Sequence, residues 1–442
     1  MSARTARIAL TALAAIFLIA ADAPETRLEQ YQRLRREGVT AAQTGELPKA
    51  RAALEAALAL YPDVAGSYIR LARVQAAAGD LEAALKNLTS YAFMGHVLDV
   101  DRDPALKTLM ALPGYAEVAA KMAESARPVG EIRELTSISG EPEFIGEGLA
   151  NDGKGWLLST VSGRTILRIG PAGGERFLEA DGATGALFGM AADTKRGLLW
   201  AAEAWGQGVP GGSGPSRTGL LKVSLADGRI LARFALPDSG GKHQLGDVAI
   251  AGDGAVYATD SVGGGVWRLQ PGGAQLERVV APGQMMSPQG MAFCPGEAAM
   301  IVADYSTGLH RVELASGKVQ PLGGLRTGLA GTDGLVAAPD FDFNLKRASP
   351  LPMAVIVTQN GVLPQRVMLL RISPDCRVVE DAAVLAAGRP GMDDLTLAAV
   401  SGDEVVFVGH ARWAARGADG RLTTAAPAPI QLWSLTLPGT LH

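Results

Sequence analysis

The chain has 442 residues, 48% hydrophobic and 19% charged, which is too apolar for a disordered polymer and too long for a single ordinary domain. Forty-one basic against 45 acidic side chains leave a net charge of -4, so no broad positive field is available to hold a phosphate backbone, and a nucleic-acid partner is excluded. The 55 glycines follow no triplet period and fall between short apolar runs, a pattern of many tight turns.

At the N-terminus, Arg4 and Arg7 precede an uncharged run from Ile8 to Ala21, and Ala21-Asp22-Ala23 offers small residues for cleavage. Residues 1–23 are therefore expected to be a secretory signal, because a run of about 14 residues is short of the ~20 a membrane-spanning helix needs. The mature chain is expected to be exported, periplasmic or secreted, with no later membrane span. Only two cysteines occur, Cys294 and Cys376, too few for a cysteine zinc site. One bridge is open to them, but two separate buried thiols is the preferred reading.

Residues 24–127 read as paired helices. Gly45-Glu46-Leu47 and Gly79-Asp80-Leu81 open two similar stretches, with Ala50 matching Ala84 and Leu54 matching Leu88, each 34 residues apart. Gly38, Ala57 and Pro62 stand where a small residue, a small residue and a helix stop are wanted, and the segment resembles tetratricopeptide repeats. Two such units leave apolar faces that a further pair, Asp103–Met110 and Tyr115–Ala123, and the following domain are expected to cover. The module is read either as a surface for a protein partner or as a structural cap or dimer contact.

After Arg127-Pro128-Val129-Gly130 the helical period stops, and residues 128–442 read as short strands. A motif of two polar or small residues and an apolar one opens each group: Glu147-Gly148-Leu149, Phe188-Gly189-Met190, Gly246-Asp247-Val248, Gln289-Gly290-Met291, Asp333-Gly334-Leu335 and Asp393-Asp394-Leu395. The apolar members are 41, 58, 43, 44 and 60 residues apart, and the two long intervals contain insertions, Gly206 to Arg217 and Pro339 to Pro350. Periods near 40–50 with about four strands each describe propeller blades. The expected fold is mainly β with an N-terminal α domain: a six-bladed β-propeller after a short tetratricopeptide-like helical module. Blade six runs out of chain after Gln431–Leu437, and the spare strand Glu131–Ile138 is expected to complete it, closing the ring and removing two edges.

With Glu147, Gln289-Gly290-Met291 and Asp333-Gly334-Leu335 in this rhythm, the propeller resembles the regucalcin and gluconolactonase superfamily. That resemblance implies a divalent metal at the mouth of the ring, with Glu147 and Asp333 at the family's acidic positions. Gln289 stands where the family has Asn, and Gly246, with Asp247 beside it, stands where it has another. An arginine the family uses near substrate is replaced by the stretch Lys242-His243-Gln244.

Innermost strands of a propeller start around one axis, so Glu147, Gln289, Asp333 and Asp247 would offer oxygen donors only. Such a set favours Ca2+, or Mg2+ and Mn2+, over zinc. A bound ion would polarise a lactone or ester carbonyl of a small-molecule substrate, with Asp333 activating water. The alternative is that these residues satisfy backbone N–H groups, as Asp152-Gly153, Asp227-Gly228 and Asp253-Gly254 do in ordinary turns. A second set follows the second strands: Glu203, Asp260, Asp304, Asn360 and His410, with Arg412 and Trp413 after the last. These would surround a substrate or merely cap strand ends. His310 is read as a surface residue. Signature motifs of serine hydrolases, zinc proteases and P-loop nucleotide hydrolases are missing from the sequence.

Overall fold

Helices form first along the chain: α1 (Arg27–Gln43), α2 (Leu47–Leu60), α3 (Ala65–Ala77), α4 (Leu81–Phe93) and α5 (Tyr115–Ser125). The computed structural model describes residues 25–437 apart from 142, 208, 211, 239, 339–351, 418–421 and 425–426; the expected signal segment and the Pro339 to Pro350 insertion lie outside the described residues. Thr26 and Glu29 form a capping box at the start of α1, and Asp80 caps α4 by accepting from Ala83 N at 3.2 Å. Gly45 and Gly79 turn the chain between helices at φ +78° and +81°, a region that favours glycine. Gly38 lets α1 close on α2, since a Cβ there would lie 2.7 Å from Leu54 Cγ. Ala50, Leu54, Ala57, Ala84 and Leu88 are buried between the helices. The expected helix over Asp103–Met110 is only a 3-10 turn, Lys107–Ala111, whereas its partner forms as α5.

Among the described residues, twenty-five strands make six sheets, five of four strands and one of five. In blades one to four the strands run in chain order from the axis outward. The second strands, Trp156–Thr160, Val256–Asp260, Ala299–Asp304 and Met353–Gln359, are buried along their whole length because blades pack on both faces. An outer strand such as Ile230–Ala235 instead alternates with solvent. Blade six is completed by Arg133–Ile138, which pairs antiparallel with Ile430–Thr436 from Arg133↔Ser434 to Ile138↔Ile430. The ring is thus closed by the two ends of the propeller segment, as expected.

The cysteine pairing departs from the sequence reading. Cys294 and Cys376, expected as separate thiols, form a disulfide that joins blade four to the outer turn of blade five. The helical module docks onto the propeller face where the second strands end, so the following domain covers part of it as expected. There, Asp63 accepts hydrogen bonds from Thr327, Gly328 and Leu329 N–H at 2.8–3.1 Å, and Arg366 donates to Met94 O and Thr327 O.

Candidate functional site at the propeller mouth

The six innermost strands line one central channel, with side chains from Leu149, Met190, Val248, Met291, Leu335 and Ala399 among its walls. In five blades the innermost strand breaks register with its neighbour across the motif: Gly146/Leu149, Leu187/Met190, Leu245/Val248, Pro288/Met291 and Thr332/Leu335. The two residues inside each break leave the ladder, as in a β-bulge. This re-aims the polar motif residue toward the mouth.

The motif glycines permit that arrangement. A Cβ on Gly148 would lie 2.5 Å from Phe188 O, on Gly189 2.7 Å from Asp247 Cα, and on Gly290 2.1 Å from Leu335 N. Hydroxyls on the second strands hold the bulges. Ser159 Oγ accepts from Gly148 N at 2.8 Å and donates to Phe188 O in the next blade, and Thr358 does the same between Gly334 N and Thr396 O. Thr259 Oγ1 accepts from Asp247 N at 3.0 Å. Sequence reasoning missed these hydroxyls; their signal is a Ser or Thr recurring near the ends of the second strands.

All four motif residues expected as metal ligands, Glu147, Asp247, Gln289 and Asp333, line one cavity of ≈ 410 Å³. Asp394, Asn360, Tyr305, Phe188 and Trp413 line it too. Trp413 Nε1 donates to Glu147 Oε2 at 2.6 Å, Asn360 Nδ2 donates to Asp333 Oδ2 at 2.7 Å, and Val248 N donates to Asp247 Oδ1 at 2.8 Å. Burial drives the electrostatics. It pushes Glu147 well above the usual carboxylate range, with the charge of Asp333 adding to the effect and the Trp413 bond opposing it. Asp247 is pushed up to about 7 by burial, against the pull of the Val248 N–H. Asp333 rises to about 6 by burial, opposed by its bond from Asn360. Asp394 is raised by burial as well.

The charge of Asp333 raises both Glu147 and Asp247, so a bound cation, like protonation, would relieve the repulsion among these acids. Asn360 also leaves its buried Oδ1 without a partner while its nitrogen is engaged. Carboxylate and amide oxygens with no His or Cys suit a hard dication. The acids are not drawn together as a finished coordination shell: among the described residues no three form a metal-binding group.

The second expected set divides. Asn360 reaches the mouth; Glu203, Asp260 and Asp304 do not line it. Glu203 accepts from Gly185 N at 2.7 Å, Asp260 from Gln244 and Gly263 N, and Asp304 from Met286, Ser287, Ser306 and Thr307 N. Each ties the loop that precedes its innermost strand. The following residues, Ser261 and Tyr305, line the cavity instead. In blade five Gln359 does the tying, through Gly328 O and Ala330 O, and Asn360 follows it. His410 pairs with Asp393 at 2.8 Å and is not part of the lining. Arg412 is wholly buried, donating to Ala428, Glu141 and Ile138 carbonyls, so its guanidinium is a strut between chain segments.

No protein-family model matches the chain, and no curated protein matches it in sequence. Among solved structures it is similar to the PQQ-bound aldose sugar dehydrogenase of Streptomyces coelicolor at 16% identity, over 70% of this chain and 99% of that one, with a TM-score of 0.44. It is similar to a putative gluconolactonase at 17% identity, over 75% and 99% of the two chains, with a TM-score of 0.44. It is also similar to the calcium-binding protein regucalcin of Agrobacterium tumefaciens at 16% identity, over 69% and 94%, with a TM-score of 0.45. Among the described residues no helix is long and apolar enough to cross a membrane.

Proposed function

We propose that this is an exported protein whose propeller mouth holds a divalent cation, Ca2+ in preference to Mg2+ or Mn2+, and hydrolyses a lactone or ester. The observation that carries the reading is the convergence of Glu147, Asp247, Gln289 and Asp333 on one cavity, beside the unpartnered Oδ1 of Asn360. Glu147, Asp247, Asp333 and Gln289 would hold the ion, whose chemistry when bound is polarisation of a carbonyl oxygen. Asp333 would take a proton from the attacking water; its pKa of about 6 suits a base working near neutral pH, and Asn360 fixes the orientation of its carboxylate. Phe188, Tyr305 and Trp413 give the substrate an apolar wall. Export is supported by Arg4, Arg7 and the uncharged run after them, and by a disulfide, a bond that persists in oxidising compartments.

A second reading has its own support. Each acid at the mouth already has a hydrogen-bond donor, and no three make a ready metal group among the described residues. On that reading the protein is a non-catalytic scaffold that binds partners through its helices and propeller face. Calorimetric titration with Ca2+, followed by a panel of γ- and δ-lactones and aryl esters, separates the two. The hydrolase reading expects one ion per chain and turnover of a panel member, with Asp333→Asn losing turnover and Glu147→Gln losing both. Absence of ion uptake and of turnover in the wild type overturns it.

A further inference from the structure

A second cavity, of ≈ 330 Å³, lies where the first turn of α1 and the α2–α3 turn meet the outer strands of blade four, away from the mouth residues. Its charged lining is all basic: Arg27, Arg311, Lys318 and Arg377, with no acidic side chain among the residues that line it. Arg311 is paired with Glu313 at 3.0 Å, and Arg377 has Asp375 at 3.5 Å. Arg27 and Lys318 form no ion pair among the described residues. Two positive charges are therefore left over. His310 forms part of the wall. Expected at the surface, it is only 1% exposed; its Nε2 meets Thr307 Oγ1 at 2.8 Å, and its Nδ1 is buried with no partner. A buried ring nitrogen without a partner is costly unless something completes it. Tyr61 stacks edgewise on that ring at 5.9 Å and, with Leu28, supplies the apolar wall.

We infer that this cavity is a binding site for a phosphorylated small molecule, its phosphate group held by Arg27, Lys318, Arg311 and Arg377 and its body lying against Leu28, Tyr61 and His310. Guanidinium forks match phosphate oxygens two at a time, and the two surplus charges match a phosphate dianion. The volume exceeds that of the anion alone and leaves room for a short organic group. Because the wall combines α1 with blade four, an occupant fastens the helical module to the propeller. The assignment stands apart from the hydrolase reading of the mouth.

The test is calorimetric titration of the full chain with glycerol 3-phosphate and with inorganic phosphate, at constant ionic strength and without divalent ions. Both are expected to saturate a single site, whereas glycerol alone does not. Lys318→Gln and the double variant Arg27→Gln/Lys318→Gln should each weaken binding, the double on the order of tenfold, while Glu147→Gln at the mouth leaves it unchanged. Lys318 sits in a turn between outer strands, so the single variant reports on the site even if the double variant folds poorly. Failure to saturate, full affinity in Lys318→Gln, loss of affinity in Glu147→Gln, or equal binding of succinate would each overturn the assignment.

Discussion

Glu203 shows how burial and hydrogen bonding compete at one side chain. It is fully buried; one carboxylate oxygen accepts from Gly185 N, the other has no hydrogen-bond partner, and Arg233 stands 3.7 Å away. Burial pushes its pKa from 4.5 to about 7, so folding favours the protonated form. The stability this group contributes is fully present below pH 4.5 and is lost as pH rises through 7. Glu203→Gln keeps an acceptor for Gly185 and carries no charge, so it should raise stability at pH 8 by up to about 3 kcal/mol and change little at pH 4.5. Urea unfolding of both proteins at the two pH values checks this; equal shifts at both would contradict it. The neighbouring register explains why the sequence misplaced part of the site. Strand side chains alternate, so Asp260 and Asp304 turn into the preceding loop while Ser261 and Tyr305 face the mouth. Acidity drew attention to the wrong member of each pair, because a carboxylate serves a backbone N–H as readily as a ligand.

At the scale of the element, the recurring motif was legible because its glycine answers a steric demand repeated in four blades. Adjacent innermost strands approach so closely at Gly290 that any Cβ meets the backbone of Leu335 at 2.1 Å. Gly290→Ala should therefore force blades four and five apart and cost about 3 kcal/mol, the cost of overpacking where backbone must move. Gly182 lies in an exposed loop where an added Cβ would meet nothing within 4 Å, so Gly182→Ala should leave stability unchanged or raise it by up to about 1 kcal/mol through the unfolded chain. Thermal denaturation of the two variants against the parent reads the contrast. Blade number, strand order and the closing strand Arg133–Ile138 followed from this motif and its spacing. The bulge that turns Glu147, Asp247, Gln289 and Asp333 inward was not legible, since it is a register break between two strands and leaves no mark in either alone.

At the scale of the molecule, two links between parts far apart in the chain were hidden from any local pattern. The Cys294–Cys376 bond closes a separation of 82 residues between blades four and five, and in the chain-entropy treatment a loop of that size stabilises by about 4 kcal/mol. Cys294→Ser/Cys376→Ser should lower the urea midpoint accordingly. Asp63 makes the more telling link. It stands in the α2–α3 turn, and its carboxylate receives three successive N–H groups from Thr327, Gly328 and Leu329. That loop leads directly into the strand Thr332–Ala337, which carries Asp333. Arg366 closes the other side, bonding Gln359, Met94 O and Thr327 O. The helical module therefore braces the loop behind one acid of the mouth. Asp63→Ala would leave three N–H groups without their acceptor, at about 1–3 kcal/mol each when buried. Hydrogen exchange should rise in residues 325–331 and in α2 and α3, while blades one and two, on other sectors of the ring, keep their protection. Asp63→Asn retains one acceptor oxygen and should fall between parent and Asp63→Ala. If exchange instead rises evenly around the ring, Asp63 supports global stability and the brace is not local; if it rises in that loop and in α2 and α3 alone, the loop behind Asp333 depends on the helices that dock beside it.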